Sequence, residues 1–208
     1  MTRRPPEPFI PEIDTLPAGT ALYRVHSSRF APHQFNPGLG APSRFAFFPD
    51  QHGVPVPVLY AAAAENGAVA ETLLHDVPLA GGYLDYDTYA STVMSRLTLT
   101  RPLRLAALHG LGLRRLHASA DEVTSTPASR YGETVAWAHA AHAAGLDGVA
   151  WMSRQCIDVL AYVFFGDRCA DALTHDTGFG RIFATGADLL WLIDLCAPLR
   201  VDVLPPSP

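Results

Sequence analysis

"VLYAAAAENGAVAETLLHDV", residues 58–77, is the stretch on which the fold class turns. It opens with strand-forming residues, Val58 to Tyr60, and passes without a proline into Ala-rich sequence where Ala68, Val69, Leu73, Leu74 and Val77 share one helical stripe. The spacing predicts a strand that feeds directly into a helix over 68–77, with Asn66 as its N-cap. A single carboxylate, Glu71, interrupts the stripe. A buried, unpaired carboxylate costs free energy, so Glu71 needs either a cationic partner or an opening to a cleft.

Outward from this segment, strand and helix signals are mixed. "TALYRVHS" at 20–27 reads as the first strand, preceded by a Pro-rich extended arm over 1–19 and followed by "APHQFNPGLGAPSRFAFFPDQHGVPVP", a loop crowded with Pro and Gly. A loop of that length inside a compact domain is usually functional or disordered. Further strands are expected within 95–108, at "GVAWM" (148–152) and at "VLAYVFFG" (159–166), and an Ala-rich helix within "GETVAWAHAAHAAGLDG", closed by Gly145. The order lacks the regular βαβ alternation of a doubly wound sheet, which favours an α+β fold formed by residues 20–208 as one domain.

Composition narrows the functions. A chain of 208 residues, 49% of them hydrophobic, suffices for one well-buried domain. A net charge of −5 with scattered arginines leaves no footprint for direct binding of nucleic acid or an anionic membrane. All 15 basic residues are arginine, which excludes a Schiff-base lysine, a pyridoxal phosphate anchor and a phosphate-loop lysine. Cys156, Cys169 and Cys196 share no metal or redox spacing and read as reduced thiols. The N-terminus has prolines and acids where a signal peptide needs an apolar run, and no stretch reaches the length of a membrane span, so a soluble cytoplasmic protein is expected.

Familiar site signatures fail. "GLGAPS" at 38–43 has glycines at dinucleotide spacing but no preceding strand, and a proline where the helix should begin. Among the 9 histidines, Glu71 with His75 and His139 with His142 share helical faces, yet a third ligand is missing and no metal is expected. What stands out is a set of isolated polar residues: Arg24 after Tyr23, Arg44 in the long loop, Glu71 after Tyr60, and Ser153 at a strand end before Arg154. Each has two readings. Arg24 and Glu71 are a structural ion pair or parts of a site, Tyr60 is a core aromatic or a ligand contact, and Ser153 is a turn hydroxyl or a site residue.

Taken together, "LYRVH", "RFAFF", "VPVLYAAAAENGAVAETLLHDV", "YGETVAWAHAAHAAGLDGVAWMSRQ" and "VFFGDR" resemble, in that order, the RES domain, named for an arginine, a glutamate and a serine that fall here on Arg24, Glu71 and Ser153. The resemblance spans residues 20 to 168. Many members have Gly-Arg in the second block, where this chain has Ser43-Arg44. It implies a compact ADP-ribosyltransferase-like core of short sheets with flanking helices around a cleft. It also implies a bacterial toxin that consumes NAD by phosphorolysis or hydrolysis, with inorganic phosphate as co-substrate in the former. The partner would be an antitoxin with a helix-turn-helix region that occludes the cleft. Alternatives on the same fold are an ADP-ribosyltransferase acting on a protein and a non-catalytic nucleotide-binding regulatory module; a homo-oligomer stays open.

The residue types suit that chemistry. Nicotinamide leaves NAD as a neutral base, so no general acid is needed, while the sugar carbon becomes oxocarbenium-like and gains from a nearby carboxylate, Glu71. An arginine fork, Arg24, would grip the pyrophosphate or ribose and pair with Glu71, with Arg44 as a second anion contact. Tyr60 would hold the nicotinamide, with Tyr23 as a further NAD contact. Ser153 would hydrogen-bond the ribose or the nicotinamide amide rather than act as a nucleophile, because no adjacent base or nucleophile elbow is visible.

Overall fold

The computed structural model describes residues 4–206. Its strands are β1 (Ile13–Leu16), β2 (Ala21–Ser27), β3 (Val58–Ala62), β4 (Gly82–Leu84), β5 (Thr92–Leu99), β6 (Leu103–Ala107), β7 (Gly148–Met152), β8 (Leu160–Phe165), β9 (Leu173–Ile182) and β10 (Val201–Val203). Its α-helices are α1 (Glu65–Thr72), α2 (Tyr86–Tyr89), α3 (Gly110–Arg115), α4 (Ala120–Val123), α5 (Tyr131–Ala143), α6 (Gly166–Cys169) and α7 (Gly186–Cys196). Eight strands form one mixed sheet in the order β1-β6-β7-β8-β3-β2-β5-β9, and β10 and β4 form a small parallel pair. The α+β expectation holds.

Alternation along the strands explains how the sheet curls. Leu22, Leu59, Leu97, Leu105, Phe164 and Leu173, from six different strands, meet in one buried cluster, so the sheet wraps around its own concave face. On the other face, Trp137, Ala138 and Ala141 of α5 cover Val149, Trp151 and Val163. Ala68 and Val69 of α1 pack with Val25, Ala62 and Leu192 of α7 in a third cluster. Helix α5 ends as its sequence dictates: Gly145, at φ 81°, turns the chain in a conformation that favours glycine.

Three expectations are corrected. The 1–19 arm is extended, with residues 1–3 outside the described set, but it also contributes β1, which pairs antiparallel with β6 and precedes the strand read as first. Helix α1 starts one residue before Asn66, at Glu65, with Ala64 at the cap position, and Asn66 accepts a hydrogen bond from Gly67 N inside the first turn. The helix also stops at Thr72 rather than running on to Val77. The apolar stripe misled because Leu73 and Leu74 stay buried after the helix ends, their backbone N–H groups both bonded to Val69 O. The Gln155 side chain then takes the carbonyls of Leu74 and His75, each at 3.2 Å, which a helix would otherwise have used.

One irregularity creates the site. Strand β2 pairs with β5 along its whole length, from Ala21 opposite Thr98 to Ser27 opposite Thr92. With β3 it pairs only where Tyr23 meets Ala62. Beyond that point the two strands part, and Val58 exchanges backbone hydrogen bonds with Asn36 of the long loop instead, at 2.8 and 2.9 Å.

Candidate active site

A cleft of about 790 Å³ opens where β2 and β3 separate. That is within the size range of small-molecule sites. It is lined by Arg24 and His26 of β2, Tyr60 of β3, Glu71 of α1, Arg44 of the long loop and Tyr131 of α5, among others.

Glu71 sits half-buried near the end of α1, and its carboxylate is held from behind. Ser153, 1% exposed, donates its hydroxyl to Glu71 Oε1 at 2.6 Å, and the backbone N–H of Arg154 reaches the same oxygen at 3.1 Å. The Ser153 hydroxyl also accepts from Cys156 N at 3.1 Å. The turn between β7 and β8 thereby locks the serine, and the serine locks the carboxylate. The close approach depends on Gly67, one helical turn before Glu71: a Cβ there would meet Val159 Cγ1 at 2.4 Å and push α1 off the turn. The Cys156 thiol in that turn is pushed up to about 11 by burial, so it is no resting nucleophile.

The paired reading of Arg24 and Glu71 is corrected here. Among the described residues Arg24 makes no ion pair; its Nη1 donates to the carbonyls of Pro32 and Gln34 at 2.7 and 2.9 Å. Burial brings its guanidinium down to about 10. Arg24 and Glu71 face one cleft without touching. Arg44, 5% exposed, is tied to Thr126 through the carbonyl at 2.9 Å and the hydroxyl at 2.7 Å, and its guanidinium lies 5.0 Å over the Tyr131 ring. Burial lowers its pKa, while the nearby Tyr131 and Glu71 favour the cation.

Ser153 is outside the cleft lining, and its hydroxyl donates to the Glu71 carboxylate. The Tyr60 hydroxyl accepts from Phe45 N at 3.1 Å and shares a hydrogen bond with Ser43 Oγ at 2.8 Å, which ties the long loop to β3. Burial pushes this phenol up to about 12. Its ring stands edge-on to Trp151, with 6.0 Å between centroids. Ser43 thus has a bonding role that glycine lacks, and it lies outside the left-handed region, where His117 and Arg200 are the only described non-glycine residues. Tyr23 borders the cleft and meets Phe179 edge-to-face at 5.4 Å.

Sequence reasoning missed His26, Tyr131 and Gln155, and weighed His75 only as a metal ligand. His26 is buried against Ser95 Oγ at 3.0 Å, and desolvation lowers its pKa, keeping it neutral. Tyr131 and His75 join at 2.5 Å, 56 positions apart in the chain. The signal available was "ETLLHD", which carries His75 four residues after Glu71. Among the described residues no group of three or more His, Cys, Asp or Glu could hold a metal ion.

The model of one family, the RES domain, matches residues 21–183. The curated proteins contain no match to the chain. Among solved structures, a chain of the M. tuberculosis MbcT-MbcA toxin-antitoxin complex is similar, with a TM-score of 0.57 at 14% identity over 88% of this chain and 92% of that one.

Proposed function

Since this chain belongs to the RES domain family, we propose that it is the toxin of a toxin–antitoxin pair and that it cleaves the bond between nicotinamide and ribose in NAD. The observation that carries this reading is the carboxylate of Glu71, fixed by Ser153 at 2.6 Å in the wall of a cleft that also presents Arg24 and Arg44. As nicotinamide departs, positive charge grows on the ribose ring. Glu71 answers it with a charge already in place, so little reorganisation is required at the moment of reaction. Ser153 is the positioning residue for that carboxylate. Arg24 commits Nη1 to the loop, and in this reading the rest of its fork grips the pyrophosphate or ribose of NAD. Tyr60 and Tyr23 offer the aromatic surface for the nicotinamide end. NAD is the substrate and no resident cofactor is required.

The partner in this reading is an antitoxin with a helix-turn-helix region that covers the cleft; the similar solved structure is itself a toxin-antitoxin complex. The place of action is the cytoplasm, where NAD is available, and no described helix is long and apolar enough to cross a membrane. Incubating the purified chain with NAD and following nicotinamide release tests the activity. Release that needs the intact protein supports it; intact NAD after prolonged incubation overturns it.

A further inference from the structure

We infer that Tyr131, backed by His75 and Asp76, takes the proton of the group that attacks the ribose, and that this group is water. The inference rests on the reading of the cleft as an NAD site. All three side chains border the cleft together with Glu71. His75 Nδ1 lies 2.8 Å from Asp76 Oδ1. An ionised carboxylate only accepts, so Nδ1 carries the ring proton and Nε2 is left as the acceptor. The Tyr131 hydroxyl lies 2.5 Å from that Nε2 and donates to it. The Arg44 guanidinium covers the Tyr131 ring, with Nη2 3.5 Å from the phenolic oxygen, where it steadies any negative charge that develops.

A carboxylate, an imidazole and a hydroxyl in this order form a proton relay. Glu71 is poorly suited to the same task. It must stay anionic beside the sugar cation, and its Oε1 already accepts from Ser153 and Arg154. In the proposed step the water oxygen bonds to the ribose carbon while the bond to nicotinamide breaks, its electron pair neutralising the pyridinium nitrogen. One water proton passes to the Tyr131 oxygen as the phenolic proton moves to His75 Nε2. The imidazolium faces the solvent-exposed carboxylate of Asp76, 94% exposed, which sets the tautomer rather than anchoring the ring. The other water proton remains on the new hydroxyl of ADP-ribose. His75, whose side chain is 31% exposed, then releases its proton to solvent. A phosphate dianion attacks through an oxygen that is already anionic and would leave such a relay idle.

The test compares the full chain with Tyr131→Phe and His75→Ala, using NAD with and without inorganic phosphate, and analyses the product as well as the rate. The expected product is ADP-ribose, carrying oxygen from labelled water and formed no faster with phosphate. Tyr131→Phe keeps the ring under Arg44 and should lower kcat about 10²-fold or more with KM little changed, erasing the solvent isotope effect of the parent. His75→Ala should fall similarly and recover with added imidazole, a response that a purely structural histidine would not give. Phosphorylated ADP-ribose as the main product, Tyr131→Phe turning over at the parent rate, or His75→Ala unmoved by imidazole would each overturn the relay. Nicotinamide release with an unimpaired Tyr131→Phe leaves the NAD reading standing, whereas no release from the parent chain removes both.

Discussion

On one wall of the cleft, Glu71 is held by the side chain and backbone of a tight turn, Ser153 at 2.6 Å and Arg154 N at 3.1 Å. On the part of the wall formed by β2 and the long loop, the charged groups do the holding. Arg24 gathers the carbonyls of Pro32 and Gln34, and Arg44 gathers the carbonyl and hydroxyl of Thr126. The reason lies in the backbone. The Glu71 wall is made from a helix and a strand end whose own hydrogen bonds are largely satisfied, so the carboxylate is not consumed by backbone donors beyond Arg154. The long loop leaves the carbonyls of Pro32 and Gln34 without a ladder partner, and Arg24 of β2 supplies their donors. Arg24 therefore ties down the loop and Arg44 ties the loop to Thr126 while both border the cleft, and damage to the two walls should look different.

The largest contrast is expected from Glu71→Gln. If Glu71 meets charge that grows only in the transition state, nicotinamide release should fall by about two to three decades while NAD affinity and melting temperature hold. No arginine forms an ion pair with Glu71 among the described residues, and buried Arg44, which feels the Glu71 charge, keeps its bonds to Thr126. An active but much less stable variant would assign Glu71 to structure.

Arg24→Lys tests the other wall. Lysine keeps the charge but cannot bond two carbonyls and still present a planar edge to an anion. The loss of one charged hydrogen bond, worth about 1.5–3 kcal/mol, sets the expected drop in kcat/KM at roughly tenfold or more. Limited proteolysis within residues 28–57 should accelerate in the same protein. Unchanged proteolysis with lost activity would mean that Arg24 serves the ligand alone.

Ser153→Ala sharpens the distinction between positioning and contact. Cys156 N loses its acceptor and Glu71 a donor, so stability should fall by about 1–3 kcal/mol. With Ser153 behind the carboxylate, kcat should drop a few-fold to tenfold while KM stays in place. A raised KM with unchanged kcat would return the hydroxyl to the substrate.

The smallest effect concerns alkaline pH and the tie between loop and β3. Burial pushes the Tyr60 phenol and the Cys169 thiol up to about 12, and the Cys196 thiol up to about 11. In the unfolded chain these groups ionise at lower pH, so the folded state holds more protons and its stability declines as pH rises from about 9 toward 12. Arg24, brought down to about 10, works the opposite way above that pH, because the folded state loses its proton first. With Cys156 also raised, the raised acids outnumber the lowered Arg24 and Arg44, and the melting temperature should decrease from pH 8 to pH 11, less steeply in Tyr60→Phe. A rising melting temperature would refute the assignment.

Residues 58–77 by themselves determined that a strand runs into a helix and that Glu71 rides on it, because the apolar periodicity and the lack of proline are local properties. The GVAWM strand, the Ala-rich helix with Gly145 as its stop, and the absence of lysine chemistry were legible for the same reason. Local pattern could not tell helix from buried turn at Leu73 and Leu74, since both bury the same side chains. Only the tertiary structure decided that β2 and β3 part after Tyr23 and Ala62, that Gly67 lets α1 settle against Val159, and that the Ser153 hydroxyl meets the Glu71 carboxylate. It also separated Arg24 from Glu71 and joined His75 to Tyr131 across 56 positions of chain. Those outcomes depend on which surfaces meet when the sheet curls, and contacts of that kind leave no period in the sequence.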